Sequence, residues 1–166
     1  MLAAGDVATA AAWNVITNDV IDHETRLQQL KRITYIERST AYTVNQTAVA
    51  SATDIFSSDL TWTATGATYV VEFFGLVQTA ATGFTKMILT DGGNNGLGAI
   101  GVAYAGSQVT IQGLFARKYY TPAAGTATIN VRGIYATAGN GALNAGDGTG
   151  TNDPIAFLAV YGPVLT

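Results

Sequence analysis

The chain contains no cysteine and a single histidine, His23. Without thiols it cannot form disulfides or a cysteine-ligated zinc site. A Ser-His-Asp triad or a multi-histidine metal site would have to use His23, because no other imidazole is present. These absences favour a non-enzymatic protein without a cofactor or a bound metal.

Charge is also scarce. Charged residues make up 11% of the 166 residues and apolar residues 48%, whereas an average soluble domain has roughly 25% charged residues. The net charge of −3 and the pI near 4.8 leave no basic surface for nucleic acid, so no nucleic-acid partner is predicted. A small domain with so much apolar surface is expected to cover it with a membrane or with other subunits.

Long apolar runs are missing too. A spanning helix needs about 20 consecutive apolar residues, but the best apolar stretch, 69–77, is short and contains Glu72. Asp6 falls early and no Lys or Arg precedes it, so the start lacks the basic region of a signal peptide. We therefore expect synthesis in a cytoplasm, no membrane insertion, and a homo-oligomer.

The chain divides near residue 38, since 1–38 hold nine charged residues and the following 128 only ten. A helix is predicted from Thr9 to Arg32, because the stretch is Ala-rich at its start and free of Gly and Pro. Its seam residues are spaced alternately by three and four: Trp13, Ile16, Val20, His23, Leu27 and Leu30. This spacing fits a coiled-coil seam and also an amphipathic helix packed on its own domain. His23 in the seam would set the register, or three copies of it would hold an anion or a metal on the axis of a trimer.

From Ile33 onward Thr, Val, Ile and aromatic residues are frequent, and Gly, Asn, Asp and Ser form the turns. Strands are predicted at 33–38, 41–50, 60–65, 68–79, 85–90, 99–105, 107–120, 125–137 and 155–162. Eight or nine short strands favour an antiparallel β-sandwich or jelly roll. The predicted organisation is an oligomerisation and anchoring helix in 1–32 and a β-sandwich in 33–166, with a long Gly-rich loop at 138–153.

Two strands, 69–77 and 155–161, are apolar on both faces. A strand of an antiparallel sandwich normally buries only one face, so a second apolar face predicts a neighbouring subunit. Together with the helical seam, the predicted interface residues are Val70, Phe74, Leu76, Phe157 and Val160. Glu72, the charged residue within 69–77, is expected to pair with Arg117, with Arg132 or with a neighbouring subunit.

Most of the acidic residues outside the helix lie at predicted turns. The segment 147–153 offers oxygen atoms of the kind that calcium prefers, but it lacks the spacing and the final Glu of an EF-hand loop. The Gly-rich segment 92–98 is not followed by the Lys of a phosphate-binding loop, so it is predicted to be a hairpin connection. Glycoside cleavage needs two carboxylates on either side of the bond, and nothing in the sequence fixes such a pair among the six acidic residues beyond residue 38. The possible ligand-binding residues are Asn94, Asn95, Tyr119, Tyr120, Asp147, Asn152 and Asp153.

Three stretches resemble small virion proteins of tailed bacteriophages. Residues 4–14, an Ala-Gly-Asp-Val-Ala-Thr-Ala-Ala-Ala-Trp-Asn phrase leading into Leu-Gln-Gln-Leu at 27–30, are similar to the start of many tail-associated proteins, although Ala8 replaces the usual Leu. Residues 157–163 resemble the closing strand of their β-sandwiches, with Tyr161 in place of an acidic residue. Residues 68–91 resemble their central hairpin.

The resemblance implies a homotrimeric module on the virion surface with a jelly roll like that of tumour necrosis factor. The family includes tail fibres, minor tail proteins, head fibres and capsid decoration proteins, so capsid or tail proteins are the implied partners. Anchoring would fall to the N-terminal segment. The leading interpretation is a structural virion protein. One alternative is an adhesin that binds a host-surface glycan through the loops 91–98, 117–125 and 138–153, and another is a glycan-cleaving enzyme.

Overall fold

The computed structural model describes residues 31–80, 82–136, 141–149 and 153–164. The six seam residues of the predicted helix, Trp13, Ile16, Val20, His23, Leu27 and Leu30, lie outside these ranges. The predicted end of the helix is wrong, because Arg32 is the first residue of a strand. No helix in the described ranges could cross a membrane.

Ten strands are present in the described residues. They are β1 (Arg32–Arg38), β2 (Tyr42–Val44), β3 (Leu60–Ala64), β4 (Thr68–Thr79), β5 (Phe84–Asp91), β6 (Gly96–Tyr104), β7 (Thr110–Tyr120), β8 (Gly125–Ala136), β9 (Gly141–Asn144) and β10 (Ala156–Val164). The predicted strand 41–50 is largely wrong, since only Tyr42–Val44 forms a strand and Val49–Ser51 forms a 3-10 turn. The predicted loop 138–153 contains β9. Its sequence, Gly-Ala-Leu-Asn, has little strand propensity, so its pairing with β4 and β2 decides its conformation.

The strands form two antiparallel sheets. Sheet A follows the order β1-β10-β4-β9-β2, with β7 along the opposite edge of β4, and sheet B has the order β3-β8-β5-β6. Along one edge of β4, β10 pairs with the residues up to Phe74 and β9 pairs with Leu76 to Gln78. β9 and β10 are therefore two parts of one interrupted strand, and β1 and β2, their neighbours, are two parts of another.

Counting each interrupted strand once gives eight strands. Sheet A then has the order first-eighth-third-sixth, and sheet B has second-seventh-fourth-fifth. This is the strand order of a jelly roll, in which two Greek keys fold into two facing sheets. The predicted mainly β, antiparallel jelly-roll sandwich is confirmed.

The core lies between the two sheets and follows the alternation of the strands. On β4, Tyr69, Val71, Phe73 and Val77 point into it, so the residues between them lie on the outer face of sheet A. Val160 corrects an expectation, because it is fully buried in this core and cannot reach another subunit. It is three positions from Phe157, and an odd offset places two residues of a regular strand on opposite faces.

The connection between β2 and β3 covers part of the outer face of sheet B. Arg132 of β8 donates from Nε to Asp54 Oδ1 at 2.8 Å and from Nη1 to the Val49 carbonyl at 3.1 Å. Asn130 of β8 donates from Nδ2 to Asp59 Oδ1 at 3.0 Å. Both side chains are buried, although they alternate with core residues, because the chain itself folds over them.

Candidate functional site

The outer face of sheet A carries aromatic side chains from four neighbouring strands. The registers place Phe157, Phe74 and Phe115 in one row across β10, β4 and β7. A second row holds Tyr161, Val70 and Tyr119 of the same strands. We call this surface the aromatic face and define it by Tyr35, Val70, Phe74, Leu76, Phe115, Tyr119, Phe157 and Tyr161.

The rings of the aromatic face contact one another. Phe74 and Phe157 stack with their centroids 5.7 Å apart and an interplanar angle of 27°. Tyr35 of β1 lies 5.7 Å from Phe157 on the other side, and Phe115 is the direct cross-strand neighbour of Phe74. The contacting rings thus form a band across β1, β10 and β4, and Phe115 continues the apolar surface onto β7. Cross-strand aromatic pairs of this kind stabilise a sheet.

An ion pair lies between the two aromatic rows. Arg117 of β7 donates from Nε to Glu72 Oε1 of β4, its direct cross-strand neighbour. The Glu72 side chain is 8% exposed and that of Arg117 65% exposed. The hydroxyl of Tyr161 is also a hydrogen-bond partner of Glu72. Burial is the largest cause that raises the pKa of Tyr161, and the negative charge of Glu72 is the next. The pairing of Glu72 resolves the predicted alternatives in favour of Arg117.

Tyr35 marks the β1 side of the aromatic face. Its hydroxyl donates to Glu37 Oε1 at 2.5 Å, and the guanidinium of Arg32 lies 4.4 Å from its ring centroid. Burial first, and then the hydrogen bond to Glu37, raise the pKa of Tyr35 to about 12. The phenol is therefore a neutral donor at physiological pH.

β7 carries the most exposed part of the aromatic face. Phe115 is 58% and Tyr119 71% exposed, and Ile111 and Val109 extend the apolar line along this strand and the residue before it. Along β7 burial alternates strictly, because the even-numbered residues face the core and the odd-numbered ones face outward. β7 pairs with β4 alone among the described strands, so it is an edge strand with apolar side chains on its outer face.

The predicted interface residues Val70, Phe74, Leu76 and Phe157 lie together on this face and are half-buried. Tyr119, predicted as a ligand-binding residue, lies on the same face. Sequence reasoning missed Tyr35, Phe115 and Tyr161 as members of it. Their outward positions follow from strand alternation, but the sequence does not state that β1, β10, β4 and β7 are neighbours.

A second candidate site is a cavity at one end of the sandwich. It has a volume of about 340 Å³ and lies between the β5–β6 hairpin and the β7–β8 connection. Its lining residues include Asp91, Gly93, Tyr120, Pro122, Thr126 and Thr128. Two of the three predicted ligand loops, 91–98 and 117–125, therefore meet here.

Asp91 shapes the hairpin beside this cavity. Its Oδ1 accepts hydrogen bonds from the backbone N–H groups of Gly93 at 2.9 Å and Asn95 at 2.8 Å. The Asn95 amide donates to Oδ2 at 3.0 Å. The hydrogen bonds from the side chain and backbone of Asn95 lower the pKa of Asp91, so it is a carboxylate. Asn94 has a positive φ of 65°. Both predicted Asn residues thus have roles in the turn, and neither lines the cavity.

Tyr120 lies on the core side of β7, opposite to Tyr119. Its ring is 6.3 Å from that of Trp62, in an edge-on arrangement. Burial raises the pKa of Tyr120, and the nearby charge of Asp91 adds to this effect. The two adjacent tyrosines therefore serve different surfaces: Tyr119 the aromatic face and Tyr120 the cavity.

The described residues of the third predicted ligand loop, 138–153, do not line the cavity. Asp147 accepts hydrogen bonds from the backbone N–H of Thr149 at 3.0 Å and from its hydroxyl at 2.8 Å. Asp153 accepts a backbone hydrogen bond from Gly148 at 3.1 Å, and Asn152 lies outside the described residues. Within the described ranges no three carboxylate or histidine side chains are grouped to hold a metal ion.

No family model and no curated protein matches the chain. Among solved structures, the carbohydrate-binding module CBM36 in complex with calcium and xylotriose is similar with a TM-score of 0.35 and 16% identity, covering 77% of this chain and 99% of that one. A structure of infectious bursal disease virus, Gx strain, is similar with a TM-score of 0.40 and 11% identity, covering 80% of this chain and 36% of that one. The jelly roll itself is defined by the strand order of this chain.

Proposed function

We propose that the chain is a non-enzymatic structural protein of a bacteriophage virion, which forms a homotrimeric module on the virion surface. The observation that carries this proposal is the aromatic face, which continues across four strands of sheet A. Its rings are hydrophobic surface that a monomer would leave in contact with water, and patches of this kind mark interaction sites. Its occupant is a second copy of the chain.

The charges on this face support contact between copies. Arg32 and Glu37 are exposed on β1, at one side of the aromatic face, and Arg117 is exposed on β7 near the other. A neighbouring copy turned about a common axis can bring Glu37 of one subunit to Arg117 of the next. Complementary charges at the rim of an apolar contact favour one orientation over others.

The entry of the chain into the sandwich also supports this arrangement. The backbone N–H of Gly162 donates to the carbonyl of Lys31 at 3.2 Å, next to Tyr161 on the aromatic face. Lys31, the first described residue, therefore lies beside this face, at the point where residues 1–30 of the sequence join the sandwich. A heptad seam in this segment and the aromatic face can serve the same trimer axis.

The placement on a virion rests on the resemblance of residues 4–14, 68–91 and 157–163 to small virion proteins of tailed phages. In this proposal the N-terminal segment 1–32 attaches the module to capsid or tail proteins, and the β-sandwich faces outward. Cryo-electron microscopy of intact particles would locate the module. A particle map in which no density fits this jelly roll would contradict the virion role.

Sedimentation of the full chain tests the self-association. We expect a species of three times 17.2 kDa, and a shift toward the monomer in Phe115→Asp, which places a charge in the contact without removing a core side chain. Thr63→Asp, an exposed position of sheet B, is the matched control and should keep the wild-type mass. A monomeric wild-type chain, or equal effects of the two variants, would contradict the proposal.

A further inference from the structure

We infer that the cavity between the β5–β6 hairpin and the β7–β8 connection binds a neutral saccharide unit. This activity is additional to the structural role and does not depend on it. The cavity volume of about 340 Å³ is at the small end of the range of about 300–1,000 Å³ for ligand sites. A single sugar ring, or the end of a chain of sugars, suits this size.

The acceptor of the cavity is the Asp91 carboxylate. Its Oδ1 holds the hairpin, whereas the described contact of Oδ2 is the Asn95 amide. A carboxylate oxygen can accept two hydrogen bonds, so Oδ2 can also receive a sugar hydroxyl. The turn hydrogen bonds keep Asp91 fixed and ionised, which provides an acceptor that needs no reordering when a ligand arrives.

The other walls provide hydroxyl groups and a ring. The hydroxyls of Thr126 and Thr128 can each donate or accept, and Tyr120 presents both a phenol and an aromatic surface. Pro122, beside them, adds apolar surface. Asp91 is the charged member among the described lining residues. A polyhydroxyl ligand fits this chemistry, while a phosphate or an acidic sugar would be repelled by the carboxylate.

The wall behind the cavity contains the packed ring of Trp62. Trp62 packs against both Tyr120 and Tyr69, and Ala127, which lines the cavity, is its cross-strand neighbour. Trp62 Nε1 is buried and has no acceptor among the described residues. Because the Trp62 ring packs against the Tyr120 ring, we expect the fluorescence of Trp62 to change when a ligand contacts Tyr120.

The experiment titrates the full chain, carrying Trp13→Phe so that Trp62 is the sole tryptophan, with neutral sugars. The probes are the methyl glycosides of glucose, galactose and mannose, N-acetylglucosamine, maltose and lactose. They are used up to about 50 mM, well above a dissociation constant of about 1 mM for a weak complex. We expect at least one sugar to change the Trp62 emission and to give saturation-transfer NMR signals. N-acetylneuraminic acid is the charged comparison and should give neither.

Variants connect binding to the cavity. Thr126→Ala should weaken binding about tenfold through the loss of a hydrogen bond, and Ala123→Phe, an exposed position at the rim, should abolish it by filling the space. Thr43→Ala, an exposed threonine on β2, is the control and should bind like the parent. The absence of binding by any neutral sugar, or binding that survives Ala123→Phe, would overturn the inference. The sedimentation mass of these variants tests the trimer separately.

Discussion

The outer faces of the two sheets are built in opposite ways. On sheet B the chain folds its own connection over β8, so that Arg132 is buried against Asp54 and the Val49 carbonyl. On sheet A no described segment covers the aromatic face, and Arg117 is 65% exposed although its partner Glu72 is buried. Sheet B buries these polar side chains within the subunit, whereas sheet A leaves apolar side chains such as Phe115 and Tyr119 exposed.

This contrast explains the unusual composition. A chain with 11% charged and 48% apolar residues needs surface that is covered after folding. Sheet B shows how the same chain hides polar side chains when no partner is needed. Among the described residues, four of the five most exposed large apolar side chains lie on β7 or just before it, on or beside the aromatic face: Val109, Ile111, Phe115 and Tyr119.

The adjacent residues Phe73 and Phe74 of β4 give the largest expected effect and the sharpest test. Phe73 is in the core, so Phe73→Ala should lower the free energy of unfolding by about 3–5 kcal/mol. Phe74 lies on the aromatic face, so Phe74→Ala should mainly weaken self-association. Urea unfolding, measured at several protein concentrations together with sedimentation, separates the two effects. Two variants that behave alike in both measurements would remove the distinction between core and interface.

The two ion pairs should give a smaller effect. Arg117→Met leaves the buried Glu72 carboxylate without its cation, which we expect to cost about 1–2 kcal/mol, because the exposed Arg117 is screened by solvent. The double variant Glu72→Leu with Arg117→Met should recover most of this, because replacing both partners by apolar groups is often near neutral. Thermal and urea unfolding check the values.

The matched comparison for the ion pairs uses sheet B. Arg132→Met should lower stability about equally at every protein concentration, since its contacts are all within one subunit. The effect of Arg117→Met should depend on concentration, since Arg117 lies in the proposed contact between copies. A concentration-independent effect for Arg117 would place its pair outside any interface.

The smallest expected effect is in alkaline titration. The raised pKa of Tyr35, about 12 against an ordinary value of 10, means that folding favours the neutral phenol. Its contribution to stability is complete below about pH 10 and is lost as the pH rises through about 12. In titrations followed by absorbance at 295 nm, the parent should show an ionisation step near pH 12 that Tyr35→Phe lacks. A missing step near pH 10 would contradict the contact with Glu37.

Sequence patterns predicted much of the fold and part of the site. Strand alternation placed Val70, Phe74 and Leu76 on one side of β4 and Phe73 on the other, and turn residues located most strand ends. The pattern could not show that β7 lies beside β4, because such pairing depends on the order of strands in the sheet. Tyr35 and Phe115 were missed for this reason, and β9 was missed because long-range pairing overrides its weak propensity.

The interruption shared by β1–β2 and β9–β10 has a further consequence. The chain leaves the edge of β4 after Asn144 and returns to it at Phe157, and Gly75 lies between the two pairing segments. The registers of β9 and β10 on β4 are set by their own pairing, so we expect them to be independent of the number of residues between the two strands. For a flexible loop, each doubling of length costs only about 0.6 kcal/mol. We expect a foreign peptide inserted at Gly148 to leave the jelly roll folded, so this position suits the display of added sequences.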